Sequence, residues 1–326
     1  MILVTGGAGF IGSNIALALA ARGERVVVCD TFGDGDKWKN VRTLLAEEFV
    51  FPEALDGWLA ANGDALSAIV HMGAISATTE RDVDLIVASN LQLSKRLWSF
   101  CAARAIPFVY ASSAATYGDG ARGFDDRSDD AYLSALRPLN PYGWSKLLFD
   151  RQVMAAIGRG DPAPSKWAGL RFFNVYGPRE DHKGSMRSVM RSNWEKLRAG
   201  EPLRLFRSDR ADYVDGGQMR DFVHVDDCVA VVLWMLDNSF PGDIYNVGTG
   251  TARRWVDVGE AMFAALGRAT DITFIDMPEQ LKGRYQYFTE ARMDKLRAAG
   301  FDRPPTGLTE GVAAYFAFLE RESDIL

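Results

Sequence analysis

The segment Tyr142-Gly143-Trp144-Ser145-Lys146 sets a phenol and an ammonium four residues apart, a spacing that brings both to one face of a helix. A phenol is a weak base near neutral pH, with a reference pKa of about 10, and a neighbouring cation lowers that value. Tyr142 is therefore a candidate to exchange a proton with a substrate hydroxyl, tuned by Lys146. Ser113 closes the pair Ser112-Ser113 and offers a hydroxyl to the same reacting oxygen. Lys183, in His182-Lys183-Gly184-Ser185-Met186, admits two roles. It is either a second proton-transfer group, which requires burial or a nearby cation to lower its pKa, or a charge that only holds phosphate or ribose.

Gly6-Gly7-Ala8-Gly9-Phe10-Ile11-Gly12 follows an apolar run directly and precedes an amphipathic stretch. Glycine at Gly6, Gly9 and Gly12 lets backbone approach a pyrophosphate with no Cβ in the way, and a helix N-terminus after it offers unpaired N–H groups. Asp30, eighteen residues beyond Gly12, stands where a carboxylate accepts from an adenine ribose. That carboxylate taken alone favours NAD over NADP. Lys37 lies just beyond and is either a partner for a 2′-phosphate or a solvated loop charge.

These residues need a scaffold, and the sequence predicts one. Short β-branched runs at 1–5, 25–29, 68–71, 107–112 and 167–173 alternate with helical patterns at 11–21, 85–104 and 141–157. That alternation predicts an α/β fold, a doubly wound parallel sheet of Rossmann type. Beyond Gly177-Pro178 the pattern becomes irregular and basic, with one helix expected over 185–199, strand edges at 220–225 and 245–250, and a short strand at 272–275. The expected division is a dinucleotide-binding domain of 1–175 and 220–250, and a smaller mixed α/β substrate domain of 176–219 and 251–326.

Composition narrows the partners. The 326 residues are 48% hydrophobic and 25% charged, with net charge −6, which gives no footprint for nucleic acid. Two stretches reverse the sign: 179–220 has ten Lys or Arg against seven Asp or Glu, and 282–303 has six against three. Cys29, Cys101 and Cys228 show no paired spacing, and with only His71, His182 and His224 no metal site is expected. No apolar run reaches the length of a membrane span. The chain reads as a cytoplasmic protein with no membrane partner.

The glycine loop, Ser113, Tyr142 and Lys146, together with Arg220-Asp221-Phe222-Val223-His224-Val225-Asp226-Asp227 and Asn246-Val247-Gly248-Thr249-Gly250, resemble the extended short-chain dehydrogenase/reductase family over nearly the whole chain. Ala111-Ser112-Ser113-Ala114-Ala115-Thr116-Tyr117-Gly118, Phe172 to Arg179, the Lys183 motif and Leu281-Lys282-Gly283-Arg284-Tyr285-Gln286 are similar, more narrowly, to its nucleotide-sugar epimerases that act on an ADP-activated heptose. The resemblance implies inversion at C6 of that sugar, for a lipopolysaccharide core precursor, through transient oxidation and reduction with a retained NADP, or NAD. It implies Tyr142 and Lys183 as the two proton-transfer groups, assisted by Ser113 and Lys146. Cofactor contacts carry over to Gly6, Gly9, Phe10, Ile11, Gly12, Asp30, Thr31, Lys37, Met72, Gly73, Ala74, Ile75, Ser76, Asn90, Tyr142, Lys146, Val175 and Lys183. ADP-sugar contacts carry over to Asn174, Ser185, Ser192, Phe206, Arg207, Ser208, Asp209, Arg220 and Tyr285. Arg220 is read as a diphosphate clamp or, alternatively, a structural ion pair.

The resemblance also implies a homo-oligomer, with a pentamer as its expected size. This chain departs from the pattern in three places. Phe51-Pro52-Glu53 replaces a second basic residue beyond Lys37, Ser192 stands where a histidine is usual, and 210–219 reads as an insertion. A UDP- or dTDP-sugar 4-epimerase or dehydratase built on the same Ser113, Tyr142 and Lys146 is the competing expectation. A dinucleotide-binding regulator without catalysis is a third, opposed by the intact proton-transfer set.

Overall fold

A computed structural model describes residues 1–279 and 286–323. The β-branched runs form strands because each is covered on both faces, as parallel strands require. They are β1 (Ile2–Thr5), β2 (Val26–Cys29), β3 (Glu48–Val50), β4 (Ala68–His71), β5 (Phe108–Ser113) and β6 (Trp167–Phe172). Every residue of β1, β2, β4 and β6 is buried. With a later strand, Asp243–Val247, they make one seven-stranded sheet, all of whose pairings are parallel. The order from one edge is β3-β2-β1-β4-β5-β6 and then the later strand. The order in which strands are laid down reverses between β1 and β4, which opens the crevice where such sheets bind ligands. The doubly wound parallel sheet expected from the sequence is the one found. The strand at Glu48–Val50 was not expected, since it is three residues long and two of them are exposed.

The helices on the two faces are α1 (Phe10–Ala21), α2 (Leu55–Asn62), α3 (Val83–Ile86), α4 (Leu93–Arg104), α5 (Asp130–Ala135) and α6 (Pro141–Arg159). The helix predicted over 85–104 is interrupted, because Val87–Gln92 is wound as a π turn. Such a turn inserts one residue and re-aims a side chain, here Asn90. One core holds Ile15, Leu19, Val28 and Val70 against residues of the later strand, and the other holds Leu59, Leu97, Phe108 and Phe149.

Past β6 the chain leaves the sheet through β7 (Asn174–Tyr176), α7 (Val189–Arg198), β8 (Leu203–Phe206) and β9 (Met219–Arg220). It returns through β10 (Phe222–His224), α8 (Val225–Asp237) and β11 (Asp243–Val247). β12 (Arg253–Arg254), α9 (Trp255–Ala265), β13 (Ile272–Ile275), α10 (Asp294–Ala298) and α11 (Leu308–Ser323) complete the described chain. β7 pairs with β10, β8 with β13, and β9 antiparallel with β12. A separate core of Met190, Trp194, Leu203, Met262, Phe263 and Tyr315 lies in this second lobe.

Two sequence expectations change here. The helix predicted over 185–199 begins only at Val189, because Asp181–Met186 winds as a short 3-10 turn broken at Gly184 (φ 54°). Residues 251–326 do not all belong to the second lobe: Ala291, Met293 and Leu296 pack into the core against the parallel sheet. Among the described residues no helix is long and apolar enough to cross a membrane, and no cluster of metal-ligating side chains occurs.

Candidate active site

The first turn of the sheet explains its glycines. Gly6 has φ 63°, and a Cβ there would lie 2.6 Å from the Gly73 nitrogen. A Cβ on Gly12 would lie 2.1 Å from the Gly6 carbonyl oxygen. The N-cap of α1 is Gly9, with no side-chain cap and no acidic residue in the first turn, so the orphan N–H groups of the helix face the crevice ready for an anion. Gly12→Ala is expected to destabilise the fold by about 1–3 kcal/mol through overpacking and to strip bound nucleotide. Urea unfolding and the absorbance of nucleotide released on denaturation check both effects.

Asp30 directly follows β2 and accepts from the Ala8 N–H (2.9 Å), the Thr31 N–H (2.7 Å) and Lys37 Nζ (2.5 Å). Lys37 also donates to the Thr31 carbonyl at 2.8 Å. Lys37 is thus no free loop charge. Asn40 donates both to the Ala8 carbonyl (2.9 Å) and to Nδ1 of His182 (3.0 Å), tying the glycine loop to the turn that carries Lys183. Burial, reinforced by Lys37 and Lys183, pushes the His182 ring down to about 4, so it is neutral at pH 7.

Behind the crevice, polar groups hold the segment after β4. Ser94 spends its proton on the Asn90 carbonyl (2.5 Å), so at 2.8 Å it accepts from Nε2–H of His71. Nδ1 of His71 then accepts from Thr5 Oγ1 (2.6 Å), which accepts from the Gly73 N–H (3.2 Å). Burial holds His71 neutral, its pKa pushed down to about 3. Asn90 is fully buried; its oxygen accepts from the Ile75 N–H (2.8 Å), and its nitrogen donates to the Ile75 carbonyl (3.0 Å) and to Ser145 (3.1 Å). Asn90 thus holds the 72–76 segment from behind and is not among the crevice-lining residues.

α6 begins with Asn140 as N-cap, accepting from the Gly143 N–H at 2.8 Å, and Pro141 in the first turn. A Cβ at Gly143 would lie 2.6 Å from the Ala115 carbonyl. Its absence lets α6 close onto the end of β5, where Tyr142 hydrogen-bonds Ser113. Burial raises the phenol's pKa and the bond to Ser113 opposes that rise. The sequence expectation that Lys146 would lower it is not what the structure shows. Lys146 is 3% exposed and donates to the Ala111 carbonyl at 2.8 Å. Burial depresses its own pKa to about 8, against the pull of Asp150.

Lys183 reaches the same crevice from the turn after β7. Its Nζ lies 5.1 Å from the centre of the Phe10 ring. Burial lowers its pKa, and the Glu180 carboxylate opposes this. Ser113, Tyr142, Lys146 and Lys183 therefore line one crevice of about 500 Å³, together with Gly6, Gly9, Phe10, Ile11, Gly12, Asp30, Lys37, Met72 to Ser76 and Val175. Thr31 contributes through its backbone only, at the Asp30–Lys37 pair.

The residues expected around the sugar nucleotide are more dispersed. Asn174 and Ser185 are exposed beside the crevice, and Ser192 is exposed on α7; none of them lines the crevice itself. Phe206, Arg207, Ser208 and Asp209 follow β8, where Arg207 pairs with Asp276 (3.3 Å) and Asp209 is held by the Tyr287 hydroxyl. Arg220, 7% exposed, donates to the carbonyl oxygens of Met219 and Gln286. Tyr285 lies outside the described residues. Residues that sequence reasoning missed include Asn40, Glu180 and Asp150. Asp150 had a usable signal, since Tyr142, Lys146 and Asp150 repeat every four residues.

Comparison with known proteins agrees with this geometry. Residues 2–248 match the NAD dependent epimerase/dehydratase family. A relative in Nitratidesulfovibrio vulgaris named ADP-L-glycero-D-manno-heptose-6-epimerase is 48% identical, covering 97% of this chain and 96% of its own. One of the same name in Fusobacterium nucleatum is 41% identical over the full length of both chains. Among solved structures, the ADP-L-glycero-D-manno-heptose-6-epimerase of Helicobacter pylori superposes with a TM-score of 0.80 at 26% identity, covering 98% of this chain and 96% of that one. The UDP-glucose 4-epimerase of Thermus thermophilus, in complex with NAD, does so with 0.76 at 30% identity, covering 98% of each. The glycine cradle, the Ser113–Tyr142–Lys146 set and these matches lead to one conclusion: the chain belongs to the NAD dependent epimerase/dehydratase family.

Proposed function

We propose that the protein inverts C6 of an ADP-activated heptose, converting ADP-D-glycero-D-manno-heptose to ADP-L-glycero-D-manno-heptose, with NADP as its retained cofactor. The full-length likeness to two relatives of that name supports the substrate. The observation that carries the chemistry is that Tyr142 from α6 and Lys183 from the turn after β7 line the same crevice. Inversion needs one group to take the hydroxyl proton and another to return a proton on the opposite face of the carbonyl. Because C6 is outside the ring, rotation about one bond presents that face while the ring stays in place.

A bound nicotinamide supplies the reversible acceptor and donor of hydride. The glycine cradle fits its pyrophosphate, since a Cβ at Gly6 or Gly12 would fill the space. Lys37 at 2.5 Å offsets the Asp30 carboxylate, which supports NADP. Tyr142, steadied by Ser113, exchanges the proton of one epimer, and Lys183, shifted toward its neutral form by burial, that of the other. Arg220 is assigned to the diphosphate.

Denaturing the purified protein is expected to release NADP, identified by chromatography. Adding ADP-D-glycero-D-manno-heptose is expected to give C6 inversion in the proton NMR spectrum. Inversion of C4 in a UDP-sugar, with none at C6, would overturn the reading. Release of NAD would overturn only the cofactor.

A further inference from the structure

The turn Asp181–Met186 holds no buried residue and contains Gly184 at φ 54°, so no core packing of its own fixes where Lys183 points. Polar contacts act along it, from Asn40 to His182 (3.0 Å), Arg191 to Asp181 and Arg187 Nε to the Gly184 carbonyl (2.9 Å), and its two ends are fixed as well. At the start, the Glu180 carbonyl accepts from the Lys183 N–H at 3.0 Å. At the finish stands Ser188, the N-cap of α7, whose hydroxyl accepts from the Arg191 N–H at 3.2 Å. The Glu180 side chain, 0% exposed, closes the loop between them. One oxygen accepts from the Ser188 N–H (2.5 Å), and the other from the Ser188 hydroxyl (2.5 Å) and the Tyr315 hydroxyl of α11 (3.0 Å). The carboxylate thus joins residue 180 to residue 188 and anchors both to the core of the second lobe.

Burying a carboxylate is expensive unless it is paired or hydrogen-bonded, and among the described residues Glu180 makes no ion pair. The core of the second lobe, which includes the Glu180 partner Tyr315, is built of apolar and aromatic residues, so packing alone gives no reason for a carboxylate. Holding the two ends of a turn together does, because a carboxylate accepts from several donors at once.

We propose that Glu180 is a positioning residue for Lys183: by clamping both ends of the 181–188 turn it holds the Lys183 ammonium in the crevice opposite Tyr142's helix. The inference rests on the reading of Lys183 as a proton-transfer group. Glutamine can keep the clamp, since its oxygen can accept the Ser188 N–H while its amide donates to the two hydroxyls, each of which also accepts. Alanine cannot.

The test compares Glu180→Ala, Glu180→Gln, Lys183→Met and the double variant Glu180→Ala/Lys183→Met. Glu180→Ala is expected to lower kcat by about 100-fold, the order of loss a small misplacement causes, with KM within about threefold of the parent. Hydrogen exchange at the 183 and 188 amides is expected to rise in the same variant, measured with nucleotide bound. Glu180→Gln restores kcat to within about tenfold of the parent, and the double variant is no slower than Lys183→Met, as expected for groups acting as a unit. Ser188→Ala, which removes one of the three bonds, gives a smaller loss in the same direction and serves if Glu180→Ala does not fold. Near-parental kcat in Glu180→Ala beside an inactive Lys183→Met overturns the positioning role alone, as does a further loss in the double variant. Normal turnover in Lys183→Met overturns the reading of Lys183 itself.

Discussion

Lys183→Met is expected to lower the epimerisation rate by about 100- to 10,000-fold, the range a positioned proton-transfer group contributes, while nucleotide stays bound. Methionine keeps most of the lysine's length and places a thioether toward the Phe10 ring, whose centre lies 5.1 Å from Nζ in the parent. Only the ionisable head is lost. The glycine cradle, Asp30 and Lys37 do not depend on it, so the nucleotide released on denaturation should match the parent. Tyr142 and Ser113 remain hydrogen-bonded, so the proton of one epimer can still be moved. Inversion nevertheless slows to that extent, because returning a proton on the opposite face needs the second group. The measurements are the NMR rate of C6 inversion and the nucleotide content of the same preparation. Near-parental inversion would leave Lys183 as a phosphate or ribose contact only.

Asp150→Ala is expected to have the largest effect on stability, about 3–5 kcal/mol, as for the loss of one partner from a buried ion pair. Asp150 and Arg171 are both 0% exposed. Arg171 Nε donates to Asp150 at 3.0 Å, and Nη2 lies 2.9 Å away outside hydrogen-bonding geometry. Ser112 (2.9 Å) and Tyr110 (3.1 Å) also donate to the carboxylate. Removing it strands a guanidinium beside the Tyr117 ring, 4.8 Å away, with its charge uncompensated. It also removes the anion that supports the charge on Lys146. Urea unfolding checks the magnitude. Replacing both partners with apolar residues should cost less than either single change, since no buried charge is then left alone. A single variant within about 1 kcal/mol of the parent, the centre of ordinary point changes, would sink this account.

The parts of the site that depend on neighbours in sequence were legible from it. The glycine loop follows a strand and starts a helix within twelve residues, and such a turn has few conformations. Tyr142 and Lys146 share a helix face by periodicity alone. Burial of β1, β2 and β4 on both faces followed from their uninterrupted apolar runs. What failed was equally physical. The short edge strand β3 has too little pattern to see, and the π turn at Asn90 is stabilised by contacts with Ile75 and Ser145, fifteen and fifty-five residues away.

By itself the sequence determined the parallel sheet and the dinucleotide cradle, and singled out Tyr142 and Lys183 as candidates for proton transfer, because local conformation and apolar periodicity are short-range properties. The tertiary structure decided how those residues are charged and held. Tyr142 is raised by burial, with Ser113 and not Lys146 opposing the rise, Lys37 sits on Asp30, and Lys183 enters the crevice from a turn closed by Glu180. Proton affinity and orientation depend on desolvation and on partners far away in the chain. No spacing rule encodes them, and only the folded chain brings them within reach.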